Sequence, residues 1–449
     1  MESVVLRYPS IKKIPEIAST YYSGKEINIY EKSILMKLSL RLIQVTCPLV
    51  WLFLISNLMI ADVWDESNAL VLLSTDIIDG ASYGEVLSIF WLHKIPLDIY
   101  RPLASSSVVI LTKFFSGDFV AIRYSVSAVL ITAIFVFSEV LRKLKVDETR
   151  ICFFFIAILF SSASLISGTW FANIFDVFCL FFLSLAVFFY ISNRVIFCLL
   201  FTLAAAFSKE IYILIVPILF FITLSFSIPL RRFGNFFIGF IIISAFYWSI
   251  RSTFIPFGSG EDIHEFNLAG TFNSNLSFLA GFVFQSSKFK LWDSGFILGL
   301  LGLVITVASM KNLVSRLSTI LLLFFSILAY WGMFGFQAGE VISAHNFIGR
   351  LYLVPFSLIL FFMAAESDIR GFITIILLSF ASMGYTFHDH KKFQNTYREI
   401  YELSTKNDQT VEIFYEEKVF SDLERGVEIG PYSDSKFRID TRNGGLIYN

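Results

Sequence analysis

A chain of 449 residues in which 56% are hydrophobic and 53 are phenylalanine, with a mean hydropathy of +0.71, carries more apolar surface than the core of one soluble protein can use. That excludes a soluble globular enzyme, and the sequence reads as an all-α polytopic membrane protein because backbone groups in lipid must be satisfied within each helix. The formal net charge of −1 says nothing about partners; the lipid bilayer is expected among them and nucleic acid is not.

Residues 1–37 carry charges throughout and lack the short apolar core and cleavage site of a signal peptide, so they are expected to form a cytoplasmic N-terminal segment. Crossing the hydrocarbon takes roughly 20 apolar residues. Such runs lie near 38–60, 119–141, 151–168, 171–192, 195–208, 211–228, 235–250, 295–310, 317–333, 351–365 and 371–386, which predicts about eleven transmembrane helices within a module over 38–386. Residues 387–449 follow as a short tail. With the N-terminus inside, sixteen lysines and arginines fall on the cytoplasmic side and nine on the outer side before the tail. The excess of basic residues inside orients the chain with its N-terminus in and its C-terminus out.

In that orientation the loop over 61–118 faces outward and is too long for a mere connector. Its first part, "ADVWDESNALVLLSTDIIDG", holds Asp62, Asp65, Glu66, Asp76 and Asp79 just beyond the bilayer. Its last part, "LASSSVVILTKFF", is apolar but too short to span, and is expected to lie along the interface or re-enter. The loop therefore reads as a structured outer vestibule. His93, His264, His345, His388 and His390 all fall on the outer side, and "FHDHKK" reads as a polar surface cluster rather than a metal site. Cys47, Cys152, Cys179 and Cys198 lie inside apolar runs, where they act as small hydrophobes and not as a disulfide framework.

One stretch breaks the apolar pattern. "LAAAFSKEIYILIVP" places Lys209 and Glu210 at the outer end of the fifth span, where the sixth begins. A Lys–Glu pair snorkelling at a tight turn is one reading. A cation held at headgroup depth, where the phosphate of a lipid-linked substrate would lie, is the other.

Several segments resemble the GT-C superfamily of membrane glycosyltransferases. "DIYRPLASSSVVILTKFFSGDFVAIRYSVSAVLITAIFVFSEVL" over 98–141 resembles the family's Arg-Pro-Leu after the first outer loop, and "SGTWFANIFDVFCLFFLSLAVFFY" over 167–190 its paired third and fourth spans with an Asp near the outer end. "FSKE" resembles its Ser-Lys-Glu at the mouth of a short helix. "VWDES" over 63–67 is similar to the Asp-Glu after the first span of protein O-mannosyltransferases. "GRLYLVP" over 349–355 resembles the Arg-Tyr and Pro that open a late span, with Leu351 inserted between Arg350 and Tyr352.

The resemblance implies inverting transfer of a sugar from a polyprenyl-phosphate donor to a glycan or lipid-linked glycan. One carboxylate deprotonates the acceptor and cations stabilise the leaving phosphate. It puts Asp65 in the role of base with Glu66 or Asp62 beside it, and Lys209, Arg101 and Arg350 at the donor phosphate. Glu210, Asp176 and His345 are further pocket candidates. No cofactor is called for and no divalent metal is indicated. The short tail and single catalytic module resemble the bactoprenol-dependent glucosyltransferases that decorate the O-antigen of lipopolysaccharide, which implies a bacterial inner membrane with chemistry in the periplasm. Two other classes stay open. A polymerase or ligase of lipid-linked glycans would share the donor and the architecture, and a polytopic transporter would show internal repeats and helices broken near the bilayer midplane.

Overall fold

The apolar runs fold as helices, the one open-ended structure that keeps its backbone hydrogen bonds inside a single segment. The computed structural model describes residues 19–56, 84, 91, 100–115, 119–169, 173–254, 275–276, 278–281, 283–284, 294–334, 352–406, 427–429, 437–440 and 445–448. In chain order the helices are α1 (Ser19–Ser56), α2 (Pro102–Phe114), α3 (Phe119–Lys143), α4 (Glu148–Leu159), α5 (Ser162–Thr169), α6 (Ile174–Ile191) and α7 (Val195–Ala206). A 3₁₀ turn (Glu210–Leu214) leads into α8 (Ile215–Ser225), followed by α9 (Leu230–Phe254), α10 (Ser294–Ser309), α11 (Leu313–Phe334), α12 (Leu353–Glu366) and α13 (Ile369–Lys406).

Every stretch expected to span carries a helix, but the helices differ in length. Among the described residues five are long and apolar enough to cross a membrane: Leu38–Ser56, Ala121–Lys143, Ile174–Ile191, Leu230–Phe254 and Ile369–His388. The pair α4 and α5, bent by 54°, makes a sixth if it counts as one span. Length and composition thus support five or six crossings, and the remainder of the eleven rest on the sequence reading. Among the shorter helices is α12, 14 residues long, in which every residue from Leu353 to Ala364 is buried. A helix that is apolar all round is one enclosed by other helices, and α12 packs against α4, α6 and α11. By contrast α1 and α9 turn Leu42, Leu49 and Phe53, and Ile238, Ile241 and Ile242, outward, as a lipid-facing helix must.

At the end of the bundle where α3 stops and α4 starts, local chemistry closes the helix termini. Asp147 caps α4 by accepting from the Thr149 amide at 2.9 Å. The Arg150 guanidinium donates to the carbonyls of Ala364 (3.2 Å) and Ser367 (2.9 Å), which the end of α12 leaves without helical partners.

Three features add to the sequence reading. The segment after Arg101, expected along the interface or re-entering, is a helix packed into the bundle: α2 buries Pro102, Ala104, Ser105, Ser106, Val108, Val109 and Thr112, while Ile110 and Phe114 stay exposed. The tail opens as helix, since α13 runs on to Lys406 beyond its apolar span Ile369–His388. The all-α description holds for the helical module alone, since β1 (Val427–Ile429), β2 (Phe437–Asp440) and β3 (Gly445–Tyr448) form a small antiparallel sheet in the order β1-β2-β3.

Candidate functional site

The break between α7 and the 3₁₀ turn places Lys209. Helix α7 ends by turning its last amides back, with Phe207 N donating to Leu203 O (3.0 Å) and Lys209 N to Ala205 O (2.9 Å). Lys209 itself is extended, with φ −165° and ψ 147°. Successive side chains on extended backbone leave on opposite sides, so Lys209 and Glu210 diverge rather than pair. Both are buried, at 3% and 2% exposure, which rules out the snorkelling pair.

Each finds a distant partner. The Lys209 ammonium donates to Asp176 Oδ2 in the first turn of α6. Glu210 accepts from two arginines, with Arg101 Nε 3.1 Å from Oε2 and Arg251 Nε 3.4 Å from Oε1. Pro102 at the first position of α2 fixes the start of that helix, and Leu103 N donates to Phe207 O at 3.2 Å, which holds Arg101 beside the break. Tyr100 stacks on Phe254 with ring centroids 4.9 Å apart, bringing the last turn of α9 and its Arg251 to the same place. Aromatic faces line the arginines: Arg101 lies 5.1 Å from the centroid of the Phe175 ring and Arg251 5.1 Å from that of Trp248. Tyr247 completes the wall, in edge contact with Phe207 and Tyr212.

Among the described residues the result is a buried cluster of three cations and two carboxylates at one end of the bundle. Burying a charge costs several kcal/mol unless it is paired and hydrogen-bonded, and three cations gathered in one buried place suit an anion. Lysine meets a phosphate as a point charge and arginine meets it through a fork of donors. The arginine side chains are also the more open members, at 11% and 9% exposure against 4% or less for Lys209, Asp176 and Glu210.

The structure therefore brings together Arg101, Lys209, Glu210 and Asp176, four of the residues singled out in the sequence, and adds Arg251, which sequence reasoning counted only as an outer basic residue. A charge closing a 25-residue apolar helix, right after "FYWSI", was a signal of the same kind as "FSKE". Asp62, Asp65, Glu66, His345 and Arg350 lie outside the described residues. Among the described residues no group of three or more His, Cys, Asp or Glu side chains could hold a metal ion. No protein-family model, no curated protein and no solved structure matches the chain.

Proposed function

We propose that this chain is a GT-C-like membrane glycosyltransferase that moves a sugar, with inversion, from a polyprenyl-phosphate donor to a glycan acceptor at the periplasmic face of a bacterial inner membrane, with O-antigen as the acceptor. The observation that carries the reading is the buried cluster of Arg101, Lys209 and Arg251 around two carboxylates. In the step, the acceptor hydroxyl oxygen attacks the anomeric carbon and gives its proton to Asp65, with Glu66 and Asp62 as neighbours. The bond from that carbon to the phosphate oxygen breaks with both electrons on the phosphate. The cations stabilise that developing charge, so no acid is needed to protonate the leaving group. Arg350 and His345 belong to the same outer face in this scheme.

Glu210 is shared by two arginines, so either one can be removed without stranding a buried carboxylate. Arg251→Gln should therefore leave thermal stability in detergent close to that of the wild type. It should weaken binding of a polyprenyl-phosphate sugar by roughly ten- to a hundredfold, the worth of one hydrogen bond to a charged group. Titration of the purified variant checks this, and unchanged donor affinity would leave the cluster a purely structural network.

The orientation has its own test. A phosphatase fused after Asn449 should be active and a fluorescent protein fused there should stay dark. The reverse pattern would put the cluster on the cytoplasmic side and remove the periplasmic assignment.

The 54° break between α4 and α5 favours one second reading, a transporter of lipid-linked substrates, because broken helices line transport paths. Product analysis separates the two. A transporter returns the donor lipid intact, whereas a transferase leaves bare polyprenyl phosphate.

A further inference from the structure

The cluster accounts for the cations but leaves two buried acceptors over. Asn173, fully buried, stands at the N-cap of α6 and makes no capping bond with its side chain. The Ser167 hydroxyl gives its one proton to Ala163 O at 2.7 Å. It can only accept from Asn173, so the Asn173 amide nitrogen faces it, at 3.1 Å. The amide oxygen Oδ1 is thereby turned away and has no donor among the described residues. Asp176, one helical turn on and 1% exposed, gives Oδ2 to Lys209, and its Oδ1 likewise has no donor among the described residues. Positions i and i+3 lie on one helix face, so the two oxygens belong to one patch beside the cations.

Buried polar atoms are as a rule hydrogen-bonded, and an acceptor can be satisfied only by a donor. A phosphodiester has no proton to give at neutral pH, so the anion that suits the cations cannot satisfy these oxygens. A sugar brings several hydroxyl donors on adjacent carbons. We infer that Asn173 and Asp176 accept hydroxyl groups of the donor's sugar and so determine sugar specificity, while Arg101, Lys209 and Arg251 hold the phosphate to which that sugar is joined. The inference rests on the function proposed above.

The test compares two ligands on the purified full-length chain: bare polyprenyl phosphate and the same lipid carrying glucose, galactose or mannose. At least one glycosylated lipid should bind the wild-type protein about tenfold tighter than the bare one, the gain of one or two hydrogen bonds to buried groups. Asn173→Leu should erase most of that preference and leave affinity for the bare lipid unchanged, which also reports that the variant is folded. In the unaltered protein, replacing the hydroxyls of the preferred sugar by hydrogen one at a time should cost about tenfold at one position or more. Failure to bind even the bare lipid would sink the phosphate reading itself. Binding of the bare lipid with no preference for any glycosylated form, or a preference that survives both Asn173→Leu and every deoxy replacement, would overturn the sugar-reading role alone.

Discussion

Replacing Lys209 by methionine is expected to be the most damaging single change in the bundle. It leaves Asp176 buried with its charge uncompensated, and breaking a buried ion pair from one side costs about 3–5 kcal/mol. The variant should therefore melt well below the wild type in detergent and bind no donor. That result alone would not separate a binding role from a structural one. The double change Lys209→Met with Asp176→Leu does, because an apolar pair of similar volume can replace a buried ion pair at little cost. The double variant should recover near-wild-type thermal stability and still bind a polyprenyl-phosphate sugar roughly ten- to a hundredfold more weakly. Recovery of binding together with stability would show that the lysine's charge serves the fold and not the ligand.

The second large effect concerns the acid proposed as base. A carboxylate that takes the acceptor proton must be ionised and within hydrogen-bond reach of that hydroxyl, and such groups typically contribute about 10²–10⁴-fold to rate. Asp65→Asn keeps the shape of the side chain and removes its basicity. Turnover should fall by that factor while donor affinity and melting temperature stay near wild type. Asp62→Asn and Glu66→Gln should cost less. A wild-type rate in all three neutralised variants would mean that "ADVWDES" is a solvated loop, and transfer would then lack its base.

What the sequence disclosed and what it hid follow from the range of the interactions. Lys209 and Glu210 were legible because two charges inside an apolar run announce a helix break on purely local grounds. Their partners were not. Asp176 lies 33 positions from Lys209, and Arg101 and Arg251 lie 109 and 41 positions from Glu210. Which of them meet depends on how α2, α6, α7 and α9 pack, and no single window of sequence carries that. Sequence pattern therefore suggested a Lys–Glu pair where the structure has two separate networks, and it passed over Arg251. Helix identity was legible for the same local reason, since apolar runs in lipid must be helical. Crossing number was not, because hydropathy reports how apolar a run is and not how long its helix will be, and α12 is apolar but only 14 residues long. The wholly buried α12 reads in sequence like a lipid-facing span. The strands β1 and β2 alternate apolar and polar residues, as Val-Glu-Ile and Phe-Arg-Ile-Asp, but over only three and four positions, too few for sequence pattern to mark them as strands in the tail.

The claim on which the rest depends is that the cluster of Arg101, Lys209 and Arg251 holds the phosphate of a polyprenyl lipid. The identity of the sugar does not enter if the ligands compared are bare polyprenyl phosphate and the neutral polyprenol of the same chain length. Titrated into the purified full-length chain in detergent, polyprenyl phosphate should bind saturably, at least tenfold tighter than the alcohol, as one charge-assisted contact requires. That difference should shrink in the Lys209→Met, Asp176→Leu double variant, which keeps only Arg101 and Arg251 at the site. Equal affinity of the wild-type protein for the phosphate and the alcohol would contradict the account.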